Sequence, residues 1–302
     1  MQTTQSGQAA LLALAASAIL SFIDNFVAAV SEEAGLWQFQ LFRAAFALPL
    51  LIVAARLIGK SLRVVHFGRI AMRSIVVSIG LLIYFASLGA LPVSQAGAGL
   101  FSAPLWVALL SVILFRQQIG RMMAFAVVLG FAGALTLLQP DVSNLTLLSV
   151  MPLAAGLFYG LGMMLTRHWC ADESAMSLAI GIFLTIGIVS LVMLFWVTAR
   201  PGSTFMSAPW AMPTARFLWL TLLQAVGAVF AVTLIAQAYR IGNPTMVSVF
   251  EYSFLIFASI WAFVLWGATS DTLAWVGNIV IVASGILMAQ SEKRTSDAAT
   301  SL

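Results

Sequence analysis

Long apolar stretches alternate along the whole chain with short segments that carry charges, proline or glycine. Each stretch is about as long as the ~20 helical residues that cross a bilayer. Short breaks of this kind mark the ends of membrane-spanning helices. The pattern predicts ten spans, numbered here in chain order, at residues 9–30, 36–56, 71–91, 94–115, 121–139, 146–166, 175–198, 215–239, 245–266 and 272–290.

The composition agrees with a membrane protein. Of the 302 residues, 62% are hydrophobic and only 8% are charged, whereas roughly a quarter are charged in soluble domains. Water does not tolerate an apolar surface of that size. We therefore expect an all-α membrane protein whose partner is the lipid bilayer. The net charge of +4 does not by itself indicate a nucleic-acid partner, because the position of the charges matters more than their sum.

Basic residues are concentrated at alternate connections between the spans. Eleven of the fourteen lysines and arginines flank the even-numbered connections or follow the tenth span: Arg56, Lys60, Arg63, Arg69, Arg73, Arg116, Arg121, Arg167, Arg240, Lys293 and Arg294. The odd-numbered connections carry Glu32, Glu33, Asp141 and Asp271. Basic loops are retained in the cytoplasm. We predict a multi-pass protein of the inner membrane with both termini cytoplasmic, and we interpret the first apolar run as a retained helix because no basic segment precedes it.

The two halves of the sequence resemble each other. A shift of 152 residues aligns Leu82, Ile83, Ala86, Pro92, Val112, Val128 and Gly133 with Leu234, Ile235, Ala238, Pro244, Val264, Val280 and Gly285. Five spans per half is an odd number, so the second half must cross the membrane in the opposite sense. We predict a 5+5 inverted repeat, typical of secondary transporters, with residues 1–140 and 141–290 as its halves and 291–302 as a polar tail. Chance similarity between apolar segments is the competing interpretation.

Three charged residues fall inside predicted spans: Asp24, Arg43 and Glu251. A charge at a helix centre costs roughly 2.5–3.5 kcal/mol, so each is expected to face the bundle interior or a wet cavity. Asp24 and Arg43 share a depth, which predicts either a fixed ion pair or a site for the carboxylate or amine of a zwitterion. Glu251 either binds an ammonium or a coupling proton, or it is a helix-end carboxylate near Arg240.

Polar and aromatic side chains at membrane depth form a second group of candidates. Asn25 belongs to a polar stripe on the first span that also holds Asp24, and Tyr252 shares a face with Glu251. Stacking faces and hydrogen-bonding groups for a small ligand come from Tyr84, Trp106, Tyr159 and Gln237. Each of these is alternatively a contact between helices or an interface anchor.

Signatures of catalysis and of metal binding are absent from the sequence. Cys170 is the only cysteine, and both histidines, His66 and His168, lie in connecting segments, so metal-ligand spacing is missing. The chain has no His-Glu-x-x-His, Gly-x-Ser-x-Gly or phosphate-binding Gly-x-x-x-x-Gly-Lys motif. We expect no enzyme activity, no cofactor and no metal, and any transport is expected to use gradients.

Several segments resemble a known family. LLIYFASLGALPVSQAGAGLFSAPLWVALLSVILF, from Leu81, and GRMMAFAVVLGFAGALTLL look like the EamA-type module of the drug/metabolite transporter superfamily, as does the segment around Arg43. In the second half, AQAYRIGNPTMVSVFEYSFLIFASIWAFVLWG and AWVGNIVIVASGIL are similar to the same module. The chain departs from the family at Phe115-Arg116 and Gly267-Ala268, where a Gly-Glu pair is common, and at Ser21–Asn25, where Trp-Gly is common.

The resemblance implies a transporter of small metabolites with a central cavity lined by spans one, three, four, six, eight and nine. Because both signs of charge lie at membrane depth, we favour an amino acid or a similar zwitterion as substrate, carried by alternating access. A flat aromatic metabolite such as a nucleoside, flavin or other cofactor is the alternative. A membrane-embedded lipid-modifying enzyme or a scaffold is the alternative from another class.

Overall fold

The computed structural model describes residues 2–57, 59, 62, 64–88, 93–140, 150–267, 269 and 271–300. Within these ranges the regular structure is entirely helical. The helices are α1 Gln2–Asp24, α2 Val27–Ser31, α3 Leu36–Leu57, α4 Phe67–Leu88, α5 Val93–Leu100, α6 Ala103–Ile113, α7 Arg121–Leu138, α8 Met151–Trp169, α9 Ala175–Ala199, α10 Ala215–Ile241, α11 Pro244–Glu251, α12 Ser253–Trp266 and α13 Thr272–Thr300.

These helices confirm the predicted all-α membrane fold. In the described part of the chain, nine segments are long and apolar enough to cross a membrane. The sixth predicted span, residues 146–166, corresponds to α8, and its first residues fall in 141–149, outside the described ranges. The predicted boundaries elsewhere agree to within a few residues, except that α1 begins earlier and α13 continues into the polar tail.

Three predicted spans are interrupted, which corrects the expectation of continuous helices at 9–30, 94–115 and 245–266. Between α1 and α2, the Asn25 side chain donates to the Ser21 carbonyl at 2.7 Å, where a regular helix would use a backbone N–H. Between α5 and α6, Pro104 lies in the first turn of the new helix, where its missing N–H costs nothing. The third break lies at Tyr252, between α11 and α12.

The helix pairs that contact each other most extensively reveal a two-fold pseudo-symmetry. They are α1 with α10, α4 with α8, α3 with α9, and α7 with α13. If each span is replaced by its equivalent in the other half, the pair α1 with α10 becomes the pair α8 with α4. The pairs α3 with α9 and α7 with α13 each consist of equivalent spans and therefore stay the same pairs. Under the shift of 152 residues, the break at Phe101–Ser102 falls within two residues of the break at Tyr252. Because each half contains five spans, the two halves cross the membrane in opposite senses, as an inverted repeat does.

Contacts between connections divide the bundle into two ends. At one end, the connections around Cys170 and Val65 meet, and Arg240 Nη2 donates to the Ala171 carbonyl at 3.0 Å. We name this the basic end, because even-numbered connections lie there. At the opposite, acidic end, Gln139 Nε2 donates to Asp271 Oδ2 at 2.8 Å. That hydrogen bond holds the pKa of Asp271 below its usual value.

At the acidic end, residues 32–38 are fastened to residues 205–216, and we call this contact the acidic-end latch. Thr214 Oγ1 donates to Glu33 Oε2 at 2.6 Å, and Arg216 Nη1 lies 3.2 Å from Glu33 Oε1. Gln38 makes two hydrogen bonds of 2.8 Å with Ala211, one to its carbonyl and one from its N–H. Thr214 is also the N-cap of α10, so Glu33 lies at the positive end of that helix.

At the basic end, the pseudo-equivalent contact is made by Glu173, and we call it the basic-end latch. The Glu173 carboxylate accepts hydrogen bonds from the backbone N–H groups of Val65 at 3.0 Å and His66 at 2.6 Å, immediately before α4 begins. Glu173 is completely buried, whereas the Glu33 side chain remains 15% exposed. Each latch therefore joins the loop before the second span of one half to the start of the third span of the other half.

Helices α5 and α8 approach each other closely at two glycines, near the break between α5 and α6. A Cβ atom at Gly99 would lie 2.1 Å from Pro152 Cβ, and one at Gly156 would lie 2.7 Å from the Gly99 carbonyl oxygen. The backbones of α5 and α8 are therefore in direct contact, as the spacing of small residues in the sequence indicates. Any larger side chain at these two positions would force the helices apart.

Cys170 provides a test of the basic-end latch, because it is the only cysteine, is fully buried, and its carbonyl accepts the Glu173 N–H at 3.1 Å. Burial raises the pKa of its thiol, so we expect slow labelling by thiol reagents. Replacing Glu173 by Ala removes hydrogen bonds to a charged group, worth ~1.5–3 kcal/mol. Labelling of Cys170 should accelerate about tenfold or more, since 1.4 kcal/mol is a factor of ten.

The measurement is the rate at which a membrane-impermeant maleimide modifies the protein in inside-out vesicles, compared with right-side-out vesicles. Glu33→Ala, which opens the acidic-end latch, is the matched control and should not accelerate the reaction. Equal rates for Glu173→Ala and the unchanged protein would show that the latch does not protect this end.

Candidate functional site

A cavity of about 130 Å³ lies between the two halves. It is far larger than the ~10–15 Å³ that a single water requires. Its walls are mostly apolar, and all the spans contribute to them except α7 and α13. The resemblance implied six lining spans; the second and seventh, α3 and α9, must be added. The polar side chains on its wall are those of Ser17, Asp24, Gln40, Arg43, Tyr84, Tyr159 and Glu251.

On the α3 wall, Gln40 and Arg43 lie one helical turn apart and are 1% and 8% exposed. Among the described residues, Gln40 Nε2 and Arg43 Nε are buried without a hydrogen-bond partner. The Arg43 guanidinium lies 5.8 Å and 5.7 Å from the ring centroids of Phe39 and Phe85, within range of a cation–π interaction. Buried donors without acceptors cost ~1–3 kcal/mol each, so a ligand that supplies acceptors here would recover that free energy.

Asp24 lies at the end of α1 and lines the same cavity as Arg43. The predicted ion pair between them is not formed: among the residues that the structure describes, no nitrogen of Arg43 lies within 4.0 Å of an Asp24 carboxylate oxygen. The two charges interact only at longer range. A negative and a positive group are therefore both presented to the cavity, and neither is neutralised by direct contact with the other.

Glu251 is the last residue of α11 and reaches the cavity beside the third helix break. Tyr159 Oη donates to its Oε1 at 2.6 Å, and Tyr239 Oη donates to its Oε2. Glu251 is a hydrogen-bonded carboxylate at a helix end, as one interpretation of the sequence had it, but no contact with Arg240 is seen among the described residues. Arg240 donates instead to Gln237 Oε1 at 2.5 Å and to the Ala171 carbonyl.

Five of the nine candidates from the sequence meet at this cavity: Asp24, Arg43, Tyr84, Tyr159 and Glu251. The other four lie outside its wall. Asn25 donates to the Ser21 carbonyl, Trp106 Nε1 donates to Ser102 Oγ at 3.1 Å, and Gln237 accepts from Arg240. Tyr252 is fully buried, its ring lies 6.5 Å from that of Phe101, and its hydroxyl has no partner. The geometry gives these four no role at the cavity.

Sequence reasoning missed two polar residues of the site, Gln40 and Tyr239. Gln40 precedes Arg43 by three residues and therefore shares its helix face, so the spacing contains a usable signal. Tyr239 and Glu251 lie on different helices, and their contact depends on the turn at Gly242–Asn243, which no periodicity predicts. The aromatic residues Phe101, Phe183 and Phe254 also line the cavity, but an apolar span contains too many phenylalanines to single them out.

Comparison with known proteins identifies the architecture. The sequence model of the EamA-like transporter family matches residues 7–139 and again residues 146–290. This chain belongs to the EamA-like transporter family. A crystal structure with 15% sequence identity superposes with a TM-score of 0.81, covering 96% of this chain and 99% of the other, which shows the shared fold.

Two curated relatives extend the comparison within the family. The chain is similar to a riboflavin transporter of Vibrio cholerae, with 24% identity over 296 residues that cover 96% of this chain and 95% of the relative. It is also similar to a pseudopaline exporter of Pseudomonas aeruginosa, with 22% identity over 284 residues that cover 94% and 96%. This EamA-like protein is therefore a membrane transporter.

The two tyrosines of the Glu251 region give a matched test of the geometry. Tyr239→Phe removes a hydrogen bond to a buried carboxylate and should lower the free energy of unfolding by ~1.5–3 kcal/mol. Tyr252→Phe removes a hydroxyl that has no partner and should change it by less than ~0.5 kcal/mol or stabilise the protein slightly. Chemical unfolding of both variants in the same detergent measures the difference. Equal destabilisation would contradict the assigned hydrogen bond.

Proposed function

We propose that this transporter carries a flat heteroaromatic metabolite of the flavin class, with riboflavin as the first compound to test. The observation that supports it is the α3 wall, where two hydrogen-bond donors without partners, Gln40 Nε2 and Arg43 Nε, lie among aromatic rings. A flavin ring presents carbonyl oxygens and ring nitrogens along one edge. It therefore supplies acceptors for those donors and a flat face for the rings.

The remaining polar groups suit the other parts of such a molecule. The Asp24 carboxylate accepts hydrogen bonds, and a flavin offers it an imide N–H and the hydroxyls of its sugar-alcohol chain. Tyr84, Phe101 and Phe254 add aromatic surface to the lining of the cavity. Because riboflavin is uncharged, its binding does not require either cavity charge to be neutralised.

The similarity to the Vibrio cholerae riboflavin transporter supports the same substrate class, since it covers nearly the full length of both chains. The sequence alone favoured a zwitterion as substrate, with a flat aromatic metabolite as the alternative. The flavin class is now the first candidate and the zwitterion the second. A zwitterion stays the second candidate for one specific reason: Asp24 and Arg43 carry opposite charges and line the same cavity without forming an ion pair. A molecule with both an amine and a carboxylate would match them.

For the mechanism, we propose alternating access, with the two inverted halves rocking around the cavity and the latches opening in turn. Transport is driven by a gradient or is facilitative. We place the basic end in the cytoplasm of an inner-membrane protein, which puts both termini there. No catalytic step is part of this proposal.

Binding to the purified protein separates the two substrate classes. Riboflavin should quench tryptophan fluorescence saturably and should raise the melting temperature, because a ligand that binds only the folded state stabilises it. A mixture of the twenty amino acids should neither displace riboflavin nor raise the melting temperature. Stabilisation by the amino acids alone would favour the zwitterion, and stabilisation by neither would reject both classes.

Replacement of Gln40 tests the orientation of the ligand. In Gln40→Leu, a ligand carbonyl loses its donor, and we expect riboflavin to bind at least about tenfold more weakly, corresponding to ~1–3 kcal/mol. The matched control is Gln290→Leu, which changes an exposed amide on α13, away from the cavity. Unchanged affinity in Gln40→Leu, or an equal loss in both variants, would contradict the proposed site.

A further inference from the structure

Glu251 occupies an unusual electrostatic position for a buried carboxylate. It is the final residue of α11, an eight-residue half-helix that ends inside the bundle. The unpaired carbonyls at a helix C-terminus carry roughly half a negative charge, which disfavours a second negative group there. Both carboxylate oxygens accept hydrogen bonds from tyrosines, but in the described ranges no lysine, arginine or histidine nitrogen lies within 4.0 Å. The position favours a positive partner, and the described residues supply none within ion-pair distance.

The other ionisable groups around Glu251 do not fill that role. The helices packed against α11 are α1, α6, α7, α8, α10, α12 and α13. On them, α1 contributes only Asp24, and α6 and α12 contain no ionisable residue. The remaining charged groups of these helices are Arg121, Arg167, His168, Arg216 and Arg240, which lie near helix ends, and Glu292, Lys293, Arg294 and Asp297, which lie in the C-terminal part of α13.

Arg73, on α4, interacts electrostatically at longer range with Tyr159, which donates to Glu251. Two of its nitrogens are engaged elsewhere, since Nε donates to Thr166 Oγ1 at 2.7 Å and Nη1 donates to the Leu178 carbonyl at 3.1 Å, while among the described residues Nη2 has no hydrogen-bond partner and does not reach Glu251. The contacts that fix Arg73 therefore hold it among α8 and α9 and leave the Glu251 carboxylate without an ion pair.

We propose that Glu251 is the coupling-ion site of the transporter and that the ion is a proton. The hydroxyls of Tyr159 and Tyr239 already donate to the carboxylate, and a metal cation would need several oxygen ligands that this position does not offer. When the proton binds, one of the two hydrogen bonds reverses, so that the new carboxyl O–H donates to a tyrosine oxygen. When the proton leaves, that tyrosine donates again, and charge and atoms balance.

The two tyrosines differ in how they meet the cavity. Tyr159 lines it together with Glu251, whereas Tyr239 lies outside the wall and is fully buried. Protons therefore reach the carboxylate from the Tyr159 side, which is also the side open to a substrate. Half-helix C-termini bind coupling cations in other inverted-repeat transporters, so the break at Tyr252 has a mechanical purpose: α11 and α12 can reorient separately as the charge of Glu251 changes.

The first experiment needs no substrate. Infrared difference spectra of the purified protein between alkaline and acidic pH report carboxylic acid C=O stretches. We expect a band that Glu251→Gln abolishes and that Asp172→Asn, which removes an exposed carboxylate at the basic end, leaves in place. Tyr159→Phe should shift the frequency of this band and the pH at which it appears. A band that is unchanged in Glu251→Gln would overturn the proposal.

The second experiment rests on the proposed function and uses riboflavin as the probe in proteoliposomes. In the unchanged protein, an imposed pH gradient should drive riboflavin accumulation, and a trapped pH-sensitive dye should report proton movement when riboflavin is added. Glu251→Gln should lose both effects yet retain exchange of labelled for unlabelled riboflavin to within a few-fold. Proton movement that persists in Glu251→Gln would overturn the proposal. Riboflavin transport by the unchanged protein that does not depend on the pH gradient would overturn it as well.

The two experiments distinguish a wrong proton site from a wrong substrate. If the infrared band belongs to Glu251 but riboflavin is not transported, the proton site stands and the proposed substrate falls. If riboflavin is transported but the band does not depend on Glu251, the substrate stands and the proton site falls.

Discussion

The cost of an unsatisfied polar group in hydrocarbon governs where this chain departs from regular helices. Lipid offers no hydrogen bonds, so broken helices are tolerated only where protein or a water-filled cavity satisfies the backbone. The breaks after Glu251 and before Ala103 both border the central cavity, and the Asn25 side chain donates to the Ser21 carbonyl that is freed at the break between α1 and α2. The cavity is thus the place where the fold permits irregular backbone, and with it charged side chains.

The helices of the two halves are arranged almost symmetrically, but equivalent positions carry side chains of different chemical character. Under the shift of 152 residues Glu251 corresponds to Gly99, and the offset of 140 residues that relates Glu33 to Glu173 pairs Arg43 with Phe183. Arg43 and Phe183 both line the cavity, one as a donor and the other as an apolar wall. Gly99, by contrast, lets α5 touch α8. Equivalent positions therefore pack helices or form apolar wall in one half and carry polar groups at the cavity in the other. As a result, a pseudo-symmetric helix bundle encloses an asymmetric cavity.

The sequence predicts the spans, their inverted order and the depth of the charged residues, because these follow from hydropathy and from the parity of five crossings. It also brings Asp24, Arg43 and Glu251 toward one interior, since each would be costly in lipid. The sequence does not predict which side chains of different helices contact each other. The direct Asp24–Arg43 ion pair was expected from depth alone, but depth does not fix the rotation of α1 against α3. The bond between Tyr239 and Glu251 depends on how tightly Gly242–Asn243 turns the chain, and hydropathy contains no such information.

The two latches differ in the burial of their charged groups, and under the proposed alternating access this difference should bias the resting state of the protein. Glu33 and Glu32 meet Arg216, whose side chain is 57% exposed, and exposed ion pairs contribute little. Glu173 is completely buried and accepts two backbone N–H groups, so opening the basic end would leave a carboxylate and two donors without partners until water reaches them. The basic end is therefore the harder one to open, and the empty protein should favour the state that faces the acidic side. A proton or a substrate entering from that side then has to supply the free energy that releases Glu173, which links occupancy of the cavity to opening of the opposite end.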